Sequence, residues 1–159
     1  MERLESLALP DGEGEVEDLE DGVQASRLAP DAHLIPGLWK IDGYDKLVSR
    51  LQQLPRVDFH PFPYDWRRDN RVAARRLEVQ AGAWLAERRR DDPDARLVLV
   101  AHSMGGLIAR YYLEVLGGWQ DTRFLLTFGT PFRGSPNAVG FLAHGGVQPA
   151  SDLLVVAPH

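Results

Sequence analysis

The sequence predicts an α/β domain, a mostly parallel sheet with flanking helices, of which this chain holds the central strands. Two observations lead there. RLVLVA (96–101) is apolar at both parities, so it suits a buried strand covered by helices on both sides rather than a half-exposed one. Strand-like runs and helical stripes then alternate in the order strand, helix, strand, helix, strand with short connections, the pattern of βαβ crossovers.

The elements follow in chain order. HLIPGLWKI (33–41) is a short strand or extended loop broken at Pro36 and Gly37. Tyr44, Leu47, Val48, Leu51 and Leu54 fall at helical spacing, with Asp42 placed to cap and Pro55 to stop the helix. VDFHPF (57–62) reads as a short strand. Asn70 is placed to cap a second helix carrying Val72, Leu77, Ala81, Trp84 and Leu85 on one face, arginines and glutamates on the other, and ending near DDPD (91–94). After RLVLVA, a third helix is patterned by Leu107, Ile108, Tyr111, Tyr112, Val115 and Leu116 and closed by Gly117 and Gly118. RFLLTF (123–128) is the next strand, and GTPFRGSPN a loop.

Composition narrows the class. The chain has 159 residues, 44% hydrophobic and 26% charged, with a net charge of −5: one domain of ordinary globular make-up. Residues 1–32 hold ten of the 23 acidic residues against Arg3 and Arg27 alone. Within them LPDGEGEVEDLEDGVQAS is too polar to offset the entropy of ordering, so 1–32 is expected to be an acidic loop or disordered segment and 33–159 the partial domain. The arginines after it are interspersed with carboxylates, which reads as solvated helix faces and not a nucleic-acid surface. No cysteine is present, which excludes disulfides, thiolate metal sites and a Cys nucleophile. MERLESLALPDGEGE lacks a basic start followed by an apolar stretch, and no run of eighteen apolar residues occurs, so the chain as written is expected to be cytoplasmic, with no transmembrane segment.

AHSMGG (101–106) follows the apolar strand directly. A residue at the carboxyl end of a parallel strand, turning sharply into a helix, stands where substrates bind in such sheets. Small residues two before and two after the serine, Ala101 and Gly105, let strand and helix approach; Ala101 takes the place of glycine in the general G-x-S-x-G pattern. The turn presents the Ser103 hydroxyl, and the Met104 N–H at the helix start points toward a developing oxyanion, with His102 and Gly106 completing the turn. The competing reading makes Ser103 an ordinary helix N-cap.

VLVAHSMGGLIARYYL resembles the nucleophile elbow of α/β-hydrolases. With FPYDWR (62–67), FGTPFRGS (128–135) and HLIPGLWKIDGYDKL (33–47), the chain resembles the lecithin:cholesterol acyltransferase family over residues 33 to 145. The resemblance implies that Ser103 attacks a lipid or other ester, forms an acyl-enzyme and passes the acyl group to water or an alcohol, with no metal or organic cofactor. It implies an O-acyltransferase or lipase of lipid metabolism. Around FPYDWR, Pro61 and Pro63 hold an extended exit from the strand, and Tyr64, Asp65, Trp66 and Arg67 are expected either to brace the site edge, Asp65 pairing with Arg67 and Trp66 packing beneath, or to contact the acyl or head group directly. In FGTPFRGS the Gly and Pro residues shape a loop read as structural, with Phe132 as an acyl-pocket wall the alternative.

Such hydrolases place their acid and histidine after the serine, each following a separate strand. Beyond the third helix the sequence offers Asp121, Asp152, His144 and His159. Asp121 falls at the opposite edge of the sheet, His144 follows no strand, and Asp152 and His159 are too close for an intervening strand and helix. The expectation is that the acid and base are absent, as is the upstream V-P-G-like loop of the second oxyanion donor. A silent binding module, or a thioesterase-like enzyme using Asp152 and His159, are the alternatives. Uncovered sheet edges favour association.

Overall fold

The computed structural model describes residues 25–28, 32–35, 39–41, 44–55 and 57–134; the acidic stretch up to residue 24, and Asp42, His144, Asp152 and His159, lie outside them. β1 (Ala32–Ile35) and β2 (Trp39–Ile41) pair antiparallel, with Ala32 opposite Ile41 and His33 opposite Lys40. The break expected at Pro36 and Gly37 falls on residues outside the described ones.

α1 (Asp45–Gln52) follows, with Tyr44 in the N-cap position and no side-chain cap. None of its residues is buried: Leu47 and Leu54, on its apolar stripe, are 38% and 48% exposed. Residues 57–62 form no strand. Pro61 and Pro63 supply no N–H for a ladder, and the segment is instead fastened to the next helix by side chains. Asp58 reaches Arg88 at 3.5 Å, and the His60 ring stacks on Trp84 at 4.7 Å between centroids.

α2 (Asn70–Arg88) starts one residue earlier than a cap at Asn70 requires. Asp69 is the cap, its carboxylate accepting the Arg71 N–H at 2.8 Å and the Arg71 guanidinium at 2.7 Å. The helix ends before DDPD, and Arg89 closes it by bonding the Ala95 carbonyl at 3.1 Å and the Asp121 carboxylate at 2.7 Å. Its buried face is Val72, Ala73, Ala74, Leu77, Ala81 and Leu85. Trp84, placed on that face by the spacing, is only half-buried.

β3 (Leu97–His102) and β4 (Thr122–Phe128) form a parallel pair, from Val98 opposite Phe124 to His102 opposite Phe128. Between them run α3 (Gly105–Glu114) and a short 3₁₀ turn (Gly118–Gln120). Val115 lies just past α3 and is 61% exposed, so it is no part of the buried stripe. The core is the seam between α2 and α3: Ala73, Ala74, Leu77 and Ala81 against Ile108 and Tyr112, with Leu97 and Leu99 packed on it from the sheet. Alanines at the seam bring the two helix axes close without a cavity.

The expectation that helices cover β3 on both sides is corrected. Its exposure alternates residue by residue, and Val98 and Val100 are 48% and 37% exposed. Among the described residues both helices that pack on the sheet pack on one face.

Candidate functional site

Of the sequence-predicted residues, Ala101 to Gly106 stand at the carboxyl end of β3 and the start of α3, and the Tyr64 hydroxyl comes close to the same turn. Ser103 follows β3 directly and takes φ +50°, alone among the described residues other than glycine in having a positive φ. Left-handed backbone costs about 1–2 kcal/mol in a residue with a Cβ, so the surrounding structure must hold it. Two backbone contacts do so. The Ser103 N–H donates to the Phe128 carbonyl at the end of β4 at 2.8 Å, and the Ser103 carbonyl accepts from the Gly106 N–H at 3.1 Å. An ordinary N-cap serine has extended backbone. Ser103 does not, and the residue in the cap position is Met104, without a side-chain cap bond.

The first turn of α3 has the open donors that a helix start leaves. Leu107 and Ile108 donate to the Met104 carbonyl, whereas no described backbone acceptor takes the Met104 or Gly105 N–H. These amides sit at the positive end of the helix dipole, beside an exposed Ser103.

The need for small residues around the turn falls unevenly. A Cβ built at Gly105 would lie 3.8 Å from the Ala101 Cβ and 3.7 Å from the Tyr64 hydroxyl, both ordinary contacts. At Gly106 it would overlap the Thr130 side chain. Gly106 is therefore the position where only glycine fits, because the loop after β4 crosses the helix there. Thr130 was not foreseen as part of the site, and the signal for it is the GTP turn that follows RFLLTF.

Tyr64 reaches the same helix start. Its ring stacks on Phe62 at 6.3 Å, and burial, followed by the nearby Tyr44, holds its hydroxyl above the ordinary phenol range. It is thus a neutral donor near neutral pH. Asp65 and Arg67 form a forked pair, Arg67 Nε lying 2.9 and 3.1 Å from the two carboxylate oxygens, while the Arg67 N–H donates to Oδ1 at 3.1 Å. Their side chains are 13% and 4% exposed. The hydrogen bonds from Arg67 hold the Asp65 carboxyl below the usual range despite its burial. The fork draws residues 65 and 67 inward and turns the residue between them out: Trp66 is 67% exposed and does not pack beneath the edge. Phe132, 44% exposed, lies under the Arg110 guanidinium, 5.6 Å from its ring centroid.

His102 turns away from α3, on the sheet face of Val98 and Val100, where its Nδ1 lies 2.8 Å from the Tyr44 hydroxyl. Among the described residues no histidine or carboxylate hydrogen-bonds the Ser103 hydroxyl, and no three His, Asp or Glu side chains converge as metal ligands would. Asp121 is at the far end of the sheet as expected, its carbonyl accepting the Leu97 N–H at 2.8 Å and its carboxylate paired with Arg89. A polar hollow lined by Asp45, Lys46, Ser49, Arg50 and Gln53 runs along α1 and includes none of residues 101–106. No described helix is long and apolar enough to cross a membrane.

The family profile of lecithin:cholesterol acyltransferase matches residues 40–154, which contain all of this geometry. The chain belongs to the lecithin:cholesterol acyltransferase family. Its parallel strand pair with flanking helices is accordingly part of an α/β-hydrolase fold. An uncharacterized protein of Saccharomyces cerevisiae, YJR098C, is 26% identical over 114 residues, covering 72% of this chain and 16% of the yeast protein. The chain thus spans about one sixth of that relative's length. No solved structure gives a significant match.

Proposed function

We propose that this chain carries the nucleophile of a serine-dependent O-acyltransferase or lipase of lipid metabolism. The observation behind this reading is the left-handed Ser103 at the carboxyl end of β3, followed at once by the open amides of α3, inside the segment matched by the family. The Ser103 oxygen attacks the carbonyl carbon of an ester, and its proton passes to a base. The Met104 N–H receives the oxyanion of the tetrahedral intermediate. The donor's alcohol departs with a proton, leaving an acyl-serine. Water or an acceptor alcohol then attacks that ester, giving acid or a new ester and restoring the hydroxyl. Tyr64 and the Asp65–Arg67 fork brace the helix start against which the acyl group is held, and Phe132 lines its approach.

A second reading has its own support. The Ser103 hydroxyl meets no described histidine or carboxylate, and loss of a triad member costs on the order of 10⁴- to 10⁶-fold in rate. The chain is then a catalytically silent portion of a hydrolase, or a binding module.

Intact-mass analysis after exposure to a fluorophosphonate ester separates the two. Labelling at one site that disappears in Ser103→Ala establishes an activated nucleophile. Labelling that persists in Ser103→Ala refutes the assignment of Ser103. A folded chain that takes no label supports the silent reading.

A further inference from the structure

Beside the elbow stands a polar contact that the acyl-enzyme chemistry leaves unused. The Tyr44 hydroxyl and His102 Nδ1 are 2.8 Å apart across 58 residues of sequence, and their rings meet edge to face at 5.8 Å and 69°. Tyr44 stands at the start of α1, which buries none of its own residues. His102 is the last residue of β3 and is joined by one peptide bond to Ser103. A weakly packed helix is thus pinned to the residue that must hold a strained turn.

We infer that Tyr44 and His102 form a positioning pair: the Tyr44 hydroxyl donates to Nδ1, fixes His102 as the neutral Nε2–H tautomer and steadies the backbone at Ser103. The inference rests on Ser103 being the nucleophile for its consequence, though not for the bond itself.

The 2.8 Å contact fits either direction, and the proposed pair takes the phenol as donor. A phenol is a good donor, and a neutral imidazole has one acceptor nitrogen and one N–H. Burial raises the Tyr44 hydroxyl above its ordinary range, so it keeps its proton near neutral pH. With the Nδ1 lone pair occupied, the ring proton belongs on Nε2. Two consequences follow for the site. His102 is fixed in a structural bond on the sheet face away from α3, which disqualifies it as the base for its neighbour. The elbow is also held from both sides, with the Phe128 carbonyl taking the Ser103 N–H from β4 and Tyr44 taking the preceding ring from α1.

The test uses the whole chain labelled with ¹⁵N-histidine, and Tyr44→Phe, which keeps the ring and removes one oxygen. Loss of a resonance in His102→Asn assigns the His102 signal. The expected result is an Nε2–H tautomer with a hydrogen-bonded Nδ1 in the parent, moving toward the tautomer mixture of free imidazole in Tyr44→Phe. An unchanged His102 signal in Tyr44→Phe, or an Nδ1–H tautomer in the parent, overturns the pair.

Fluorophosphonate labelling reads the positioning role. Tyr44→Phe and His102→Ala should each slow labelling about five-fold, the worth of one net hydrogen bond. His102→Asn, whose side-chain oxygen can take the place of Nδ1, should recover most of the parent rate. Equal rates in Tyr44→Phe and the parent overturn the positioning role. If the parent takes no label, the nucleophile reading fails by itself and the resonance comparison decides the pair.

Discussion

The two faces of the β3–β4 sheet carry similar side chains and meet different surroundings. On one face Leu97 and Leu99 pack against the α2–α3 seam around Ile108, which is 2% exposed. On the other, Val98, Val100, Phe124, Leu126 and Phe128 share one side of the register and are 37% to 51% exposed. Nothing in the residue types distinguishes the faces. What differs is the covering layer: α2 and α3 take one side, while on the other Tyr44, at the start of α1, reaches His102 at the end of β3. Parallel sheets occur almost only with both faces covered, whereas here Val98, Phe124 and Leu126 stay largely exposed. The covered face is also the one on which α3 starts, with Thr130 close against Gly106 and the Tyr64 hydroxyl close against Gly105.

The largest expected difference between the faces comes from Ile108→Ala. Removing three carbons from the centre of the seam should cost about 3–5 kcal/mol, a large share of the stability of a small domain, read as a fall in the midpoint of urea unfolding. A loss below about 1 kcal/mol would mean that the seam is loosely packed in solution and that the two faces are more alike than their exposures indicate.

Much of the covered layer was legible from sequence, for reasons that also explain the failures. α2, β3, α3 and β4 are long or strongly patterned, and their apolar periods were read within a few residues of the observed bounds. The turn at Ser103 was legible because it needs particular residue types at fixed spacing. The cap fell on Asp69 rather than Asn70, since either side chain can accept from the helix start and only geometry selects one. VDFHPF reads as a strand by composition, yet Pro61, with Pro63 just after it, and the absence of a described neighbour leave it unpaired. RLVLVA was read as covered on both sides because its composition asks for that, whereas exposure depends on which other segments arrive. Contacts distant in sequence were invisible: Tyr44 looked like one more member of an apolar stripe, and nothing in AHSMGG points to it.

An intermediate effect is expected at the turn itself. Gly106→Ala sets a methyl group against Thr130, and forcing such an overlap costs about 1–3 kcal/mol. Gly105→Ala meets only contacts of 3.7 and 3.8 Å and gains helix propensity of up to about 1 kcal/mol, so it should be neutral or mildly stabilising. Paired unfolding curves check both. The reverse order would move the tight approach from the loop after β4 to the end of β3.

The smallest expected effect is the sharpest test of the comparison. Leu126 is 44% exposed on the face away from α2 and α3, so Leu126→Lys removes little buried apolar area and lets the ammonium stay in water while its stem lies along the sheet. Its cost should be below about 1 kcal/mol, as for surface positions generally. The substitution also sets a charge in the middle of an apolar patch beside strand edges that no described strand pairs, the feature that promotes association between chains. Sedimentation velocity at rising concentration should therefore show the variant less self-associated than the parent at nearly equal stability. A loss comparable to that of Ile108→Ala would show instead that Leu126 is buried in solution, which requires a layer over this face and would make the sheet two-sided, as its composition asks.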